Sequence, residues 1–254
     1  MINAQSLLDR FLGQGMNTQA PPGQPGPGTP AGSPPTGQMD LGAAARQALS
    51  GVGGLGGLAA SGVAGGLLGL LVGGSKKKKG GLGSLMTHGG AAMIGALASQ
   101  AFQAWQKGQA PTQTPVAQPQ QAVRLDQRFL PAAAPAADGR PFELALVRAM
   151  ISAAKSDGHI DAEEQDRIFA RVGEAGLDPE SKTFVVDALT TPVSVSEIAA
   201  LATTPEQAAE IYLVSRLAIN PDRPAERAYL EALAHRLNLA DELVAHLDRQ
   251  IEAG

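Results

Sequence analysis

From residue 141 to the C-terminus, apolar side chains recur at three- and four-residue intervals, the spacing of helices with one buried stripe. Phe142, Leu146, Val147, Met150, Ile151 and Ala154 predict a helix over about 141–156. Asp157-Gly158 breaks it, and Asp161 with Glu164 forms a capping box for a second helix through Ile168, Phe169 and Val172. Asp178-Pro179 places an N-cap before a proline at the first helical position, opening a helix through Phe184, Val185 and Leu189. Ser194 and Glu197 make another capping box before a short helix through Ile198 and Leu201. Thr204-Pro205 starts a long helix through Ile211, Tyr212, Val214 and Leu217; Pro224 lies near the start of the next, and a last helix covers about 240–252. No alternating strand pattern of useful length interrupts the series. The predicted fold class is all-α, with a C-terminal bundle of six or seven short helices over 141–254, a segment expected to fold on its own.

The pattern ahead of residue 141 is different. Ile2, Leu7, Leu8, Phe11 and Leu12 recur at helical spacing around Asp9 and Arg10, which predicts a short amphipathic helix over 1–13, either solvated and half-formed or bound to a membrane or partner. Residues 14–40 read as a disordered Pro/Gly linker, and Pro, Gln and Ala mark a second disordered linker over 108–140. Between them, residues 41–107 form a Gly-rich, membrane-associated region. Its run over 51–74 is uncharged and longer than the roughly 20 residues a helix needs to cross the hydrocarbon core. Gly65, Gly69 and Gly73 are spaced as small-xxx-small contacts for close helix packing in lipid. Lys76, Lys77, Lys78 and Lys79 follow at once, a positive-inside signal that also attracts anionic headgroups. A second apolar helix is predicted over 89–105, lying at the interface or against the first span, with Trp105 as an interfacial anchor.

Charge sharpens the division. The net charge is −4, but residues 1–140 carry ten Lys/Arg against four Asp/Glu, and residues 141–254 ten against twenty. A basic half suits an anionic lipid surface, and an acidic half suits cations or a basic protein. The lysine run lacks the aromatic and Arg neighbours of a nucleic-acid site, so nucleic acid is not an expected partner. The chain has no cysteine, which excludes disulfides and thiolate metal sites. His159, His235 and His246 have no zinc-ligand spacing, and no nucleophile elbow, P-loop or dinucleotide fingerprint occurs. An enzyme is not expected.

Two turns remain, Ser156-Asp157-Gly158-His159-Ile160-Asp161 with Glu163-Glu164, and Ala218-Ile219-Asn220-Pro221-Asp222-Arg223-Pro224 with Glu226. Each joins two helices through Asp or Asn with a Glu about one turn in. They resemble the acidic turns of the tellurite-resistance TerB-like helical domain. With the Gly-rich run, the lysines and the 89–105 stretch, residues 40–254 look like YebE-type bacterial inner-membrane proteins. That resemblance implies no established activity and a link to stress-response complexes at the membrane; with 51–74 as the single crossing, the lysine run places the C-terminal domain on the cytoplasmic side. It also implies a candidate divalent cation, Ca²⁺ or Mg²⁺, at Asp157, Asp161, Glu164, Asp222 and Glu226. Asn220 stands where a second Asp is usual and weakens the second turn as a site; the same acidic groups also serve as helix caps. The expected function is a membrane-anchored, non-enzymatic module that binds a protein partner or senses cations. The alternative is a structural membrane protein that self-associates through its glycine-zipper helices.

Overall fold

The computed structural model describes residues 2–12, 90–113, 126–156, 177–219 and 221–252. Their order is α1 (Ala4–Phe11), α2 (Gly90–Gln106), α3 (Phe142–Ala154), α4 (Pro179–Thr190), α5 (Val195–Ala199), α6 (Pro205–Ala218), α7 (Pro224–Arg236) and α8 (Asp241–Glu252), with three single 3-10 turns between α2 and α3. The described residues are all helix, turn and coil, as the periodicity predicts. The run over 51–74, with Gly65, Gly69 and Gly73, and the lysines at 76–79 lie outside the described residues.

The caps occur where the sequence puts them. Asp178 accepts from the backbone N–H of Ser181 at 2.9 Å and from its hydroxyl at 2.6 Å. Ser194 and Glu197 close a reciprocal capping box, and Thr204 accepts from the N–H of Gln207. Each satisfies a donor that the first turn of a helix cannot pair internally.

The core is assembled around α6 and α2. α6 packs on α3, α2, α7 and α8, and α2 packs on α8, α6 and α1. On α2, Met93, Ile94, Leu97, Ala98 and Ala101 are buried and belong to the same apolar cluster as Ile211, Leu213 and Val214 of α6. The 89–105 stretch is therefore a helix, as predicted, but it is a central helix of the bundle. Its apolar residues face protein on more than one side, and its polar residues are confined to the C-terminal half, at Ser99, Gln100, Gln103 and Gln106. No helix of the described residues is long and apolar enough to cross a membrane.

α1 joins the same body, packing on α3 and α2. Leu7, Leu8, Phe11 and Leu12 are each no more than 3% exposed, and burial of each contributes about 1.5–3 kcal/mol. An isolated eight-residue helix is unstable in water, so this packing is what orders α1.

Residues 126–140, expected within a disordered linker, are held as a strap across α2 and α6. Phe129 is buried and meets Phe102 edge-on at 5.7 Å between ring centres. Gln207 donates its side-chain amide to the carbonyls of Ala134 and Pro135, and Ala137 donates its N–H to the carbonyl of Leu201. Proline and alanine need no regular ladder here, because the Gln207 side chain and the Leu201 carbonyl of the bundle pair with the strap's backbone.

Candidate functional site

The predicted cation residues divide. Asp157, Asp161 and Glu164 lie outside the described residues. Asp222 is exposed on the turn before α7, while Glu226, in the first turn of that helix, is buried and paired with Arg223 at 3.1 Å. Glu226 thus sits where the helix dipole and a guanidinium both favour a carboxylate. Among the described residues no group of three His, Cys, Asp or Glu side chains is placed to hold a metal ion. Trp105, predicted as an interfacial anchor, is half-buried against the bundle core and lies edge-on to Phe102 at 5.4 Å.

The strongest electrostatic feature was not singled out by the sequence. Glu143 at the start of α3 and Glu206 and Glu210, one turn apart on α6, are all buried. Arg128 of the strap reaches Glu206 at 3.2 Å and Asp126 at 2.8 Å. Glu210 is 1% exposed, and its Oε2 has no hydrogen-bond partner. Burial pushes its carboxyl well above the usual carboxylate range, and the neighbouring charges of Glu143 and Glu206 push it further. The group therefore favours its protonated form. The sequence signal was weak: Glu206 and Glu210 share one face of α6, but Gln207, Ser215 and Arg216 make that helix mixed rather than apolar.

A second polar network ties α6 to α8. Tyr212 donates its hydroxyl to Asp248 at 3.1 Å, and Arg216 Nε lies 3.3 Å from the same carboxylate oxygen. Burial raises the Asp248 carboxyl, opposed by the Arg216 charge and the Tyr212 hydroxyl. This is a pairing between helices, with every charge answered.

A cavity of about 300 Å³ opens between the C-terminal end of α3, the α4–α5 connection and α7, lined by Arg148, Ser152, Lys155, Val193 and Tyr229 among others. The Lys155 ammonium donates to the carbonyls of Leu189 at 2.7 Å and Thr191 at 3.0 Å, capping the C-terminal end of α4. The hydroxyl of Tyr229 is buried near Ser152 and Ser215 but out of hydrogen-bonding geometry with either. Among the described residues, no nucleophile and base are paired across the cavity.

The last feature joins distant parts of the chain. Asp9 of α1 accepts from the N–H of Ala91 at 3.1 Å, across 82 positions. Its carboxylate caps the first turn of α2, a favourable place for negative charge. Half-burial raises the Asp9 carboxyl, and the Ala91 N–H opposes that shift.

The architecture can now be set beside known proteins. A family model described as "Protein of unknown function (DUF533)" matches residues 41–251. The chain belongs to the DUF533 family. That family is TerB-like, in keeping with the two acidic turns. The match takes in α2 through α8, and α1 lies ahead of it. An "Uncharacterized protein in ampR 5'region" of Yersinia enterocolitica is 33% identical over 106 residues, which is 42% of this chain and 76% of that protein. No solved structure matches this chain.

Proposed function

We propose that this DUF533 protein is a non-enzymatic helical interaction module held at a membrane, of the YebE inner-membrane type, with its acidic bundle on the cytoplasmic side. One observation carries the reading. The apolar run and the lysines at 76–79 lie in the stretch between α1 and α2, and both of these helices pack into the bundle. The segment with membrane affinity in its sequence is thus tied to the folded body at each end. The lysines favour the cytoplasmic, anionic leaflet, at about 1 kcal/mol per residue near the surface. The acidic C-terminal helices supply a face for a basic or cationic partner, and the TerB-like resemblance links such a partner to stress response.

The test is flotation of the full chain with vesicles of defined composition. Co-flotation with phosphatidylglycerol-containing vesicles, reduced on replacing Lys76, Lys77, Lys78 and Lys79 by Gln, is the expected result. Full recovery in the unbound fraction at low salt overturns it. A cation at the acidic turns is tested separately: millimolar Ca²⁺ or Mg²⁺ then raises the melting temperature by mass action, and Asp157→Asn removes the rise.

A further inference from the structure

The cavity between the C-terminal end of α3, the α4–α5 connection and α7 has a lining unlike the rest of the acidic half. Residues 141–254 carry ten Lys/Arg against twenty Asp/Glu. Among the described residues, the cavity is lined by two basic side chains, Arg148 and Lys155, and by no Asp or Glu. The two are not equivalent. Lys155 spends its ammonium on the carbonyls of Leu189, Thr191 and, at longer range, Ala188, so it contributes positive charge but no donor. Arg148 lies 3.8 Å from the Asp138 carboxylate, too far for a hydrogen bond. Asp138 accepts instead from the N–H of Arg140 at 3.0 Å. Glu197 accepts from the N–H and hydroxyl of Ser194 at 2.7 and 2.8 Å. Those bonds hold its carboxyl below its ordinary value, with a smaller share from the Arg148 charge. The Arg148 side chain is only 29% exposed, yet among the described residues no carboxylate meets its donors at hydrogen-bond distance.

Two hydroxyls in the wall also lack partners. Those of Tyr229 and Ser156 are shut off from solvent and unbonded, and both residues line the cavity. A buried polar group in that state calls for a water or a ligand to answer it. Much of the remaining wall is apolar, with Ala188, Val193 and Val195. The volume of about 300 Å³ is at the small end for small-molecule sites. We propose that this cavity binds a small organic anion, a monocarboxylate with a short aliphatic tail. The carboxylate meets the planar fork of Arg148, which matches two oxygens at once. The tail lies against Val193 and Val195, and a bridging water links the ligand to the Tyr229 hydroxyl. A single guanidinium with donors to give suits one negative charge better than the two of a phosphate. Lys155 adds to the attraction without touching the ligand. The inference stands apart from the membrane reading, since every residue it uses belongs to the bundle.

Titration calorimetry of the full chain with acetate, propionate and butyrate tests this, with butyramide as the uncharged control and inorganic phosphate as the rival anion. Binding is expected to strengthen from acetate to butyrate and to be absent for butyramide. Arg148→Gln is expected to weaken butyrate binding by about tenfold or more, the worth of one charge-assisted hydrogen bond. Val193 is partly exposed, so Val193→Trp fills the space the tail needs while leaving Arg148 and the core in place. That variant is expected to abolish binding, with circular dichroism showing that it is folded. No heat from any of the three acids at millimolar concentration overturns the proposal. Butyrate binding that survives unchanged in Arg148→Gln or in Val193→Trp overturns it too, because the acid then sits elsewhere on the chain. Phosphate binding as tightly as butyrate overturns the choice of a monocarboxylate.

Discussion

α2 and α6 occupy equivalent places, side by side at the centre of the bundle, yet their sequences point in opposite directions. α6 carries Glu206, Glu210, Tyr212, Ser215 and Arg216 among its apolar residues, and its caps and periodicity mark it as part of a folded domain. α2 carries no charged residue at all and sits beside a Gly-rich apolar run, which makes it look like a lipid-facing helix. Burial on several sides and burial in lipid demand the same composition. What separates the two is the partner: α2 has α1, α6 and α8 around it. Chemistry differs as well. α2 supplies packing alone, whereas α6 carries the titratable groups of the interior.

The largest effect expected from this comparison is on truncation. A fragment spanning 141–254 loses both α1 and α2 and strips the faces of α3, α6 and α8 that they cover. Circular dichroism in urea should show it to unfold at much lower denaturant than the full chain, or without a sharp transition. An equal midpoint for the two would mean that α2 adds nothing to the C-terminal helices.

Next come single truncations of buried side chains. Leu97→Ala on α2 and Ile211→Ala on α6 should each cost about 2–5 kcal/mol in the full chain, since both residues are at most 1% exposed. A helix serving only lipid would make the first change nearly silent in vesicle-free solution.

A smaller and pH-dependent effect separates the chemistry of the two helices. Glu210 has its folded carboxyl raised by burial, so its stabilising contribution is complete below the unfolded carboxyl value and is lost as pH rises through the folded one. Stability should therefore decline as pH rises from the unfolded carboxyl value to the raised folded one. Glu210→Gln, which cannot ionise, should abolish the decline. Unchanged pH dependence in urea melts of that variant would show that another group is responsible. Smallest is the cap: Asp9→Ala should cost about 0.5–2 kcal/mol, read as lowered hydrogen-exchange protection in the first turn of α2.

The local signals in this chain were legible because they are short-range. Asp178, Ser194 and Thr204 announce helix starts through contacts within three residues, and all three caps are present. The 89–105 helix was legible as a helix for the same reason. Its location was not, because the contacts that place it, with α6, α8 and Asp9, come from residues distant in sequence. The strap over 126–140 was hidden in the same way. Its Pro/Ala composition reads as linker, and its order depends on Phe129 meeting Phe102 and on Gln207 reaching back to Ala134 and Pro135. The buried glutamates were hidden for the same reason: α6 mixes charged and polar residues with apolar ones, and only packing against its neighbours buries Glu206 and Glu210. Of the five acidic residues expected as cation ligands, the two described ones part company: Glu226 is paired with Arg223 and Asp222 stands exposed.

The central claim is that α2 and α6 belong to one cooperative body. Amide hydrogen exchange on the full chain, wild type and Leu213→Ala, tests it most directly. Leu213 lies on α6 and is fully buried, so its truncation weakens the bundle without touching the sequence of α2. The account predicts that protection in the middle of α2 and of α6 falls together, by the same free energy, with or without lipid. A loss confined to α6, with α2 protection governed by added vesicles alone, would contradict it.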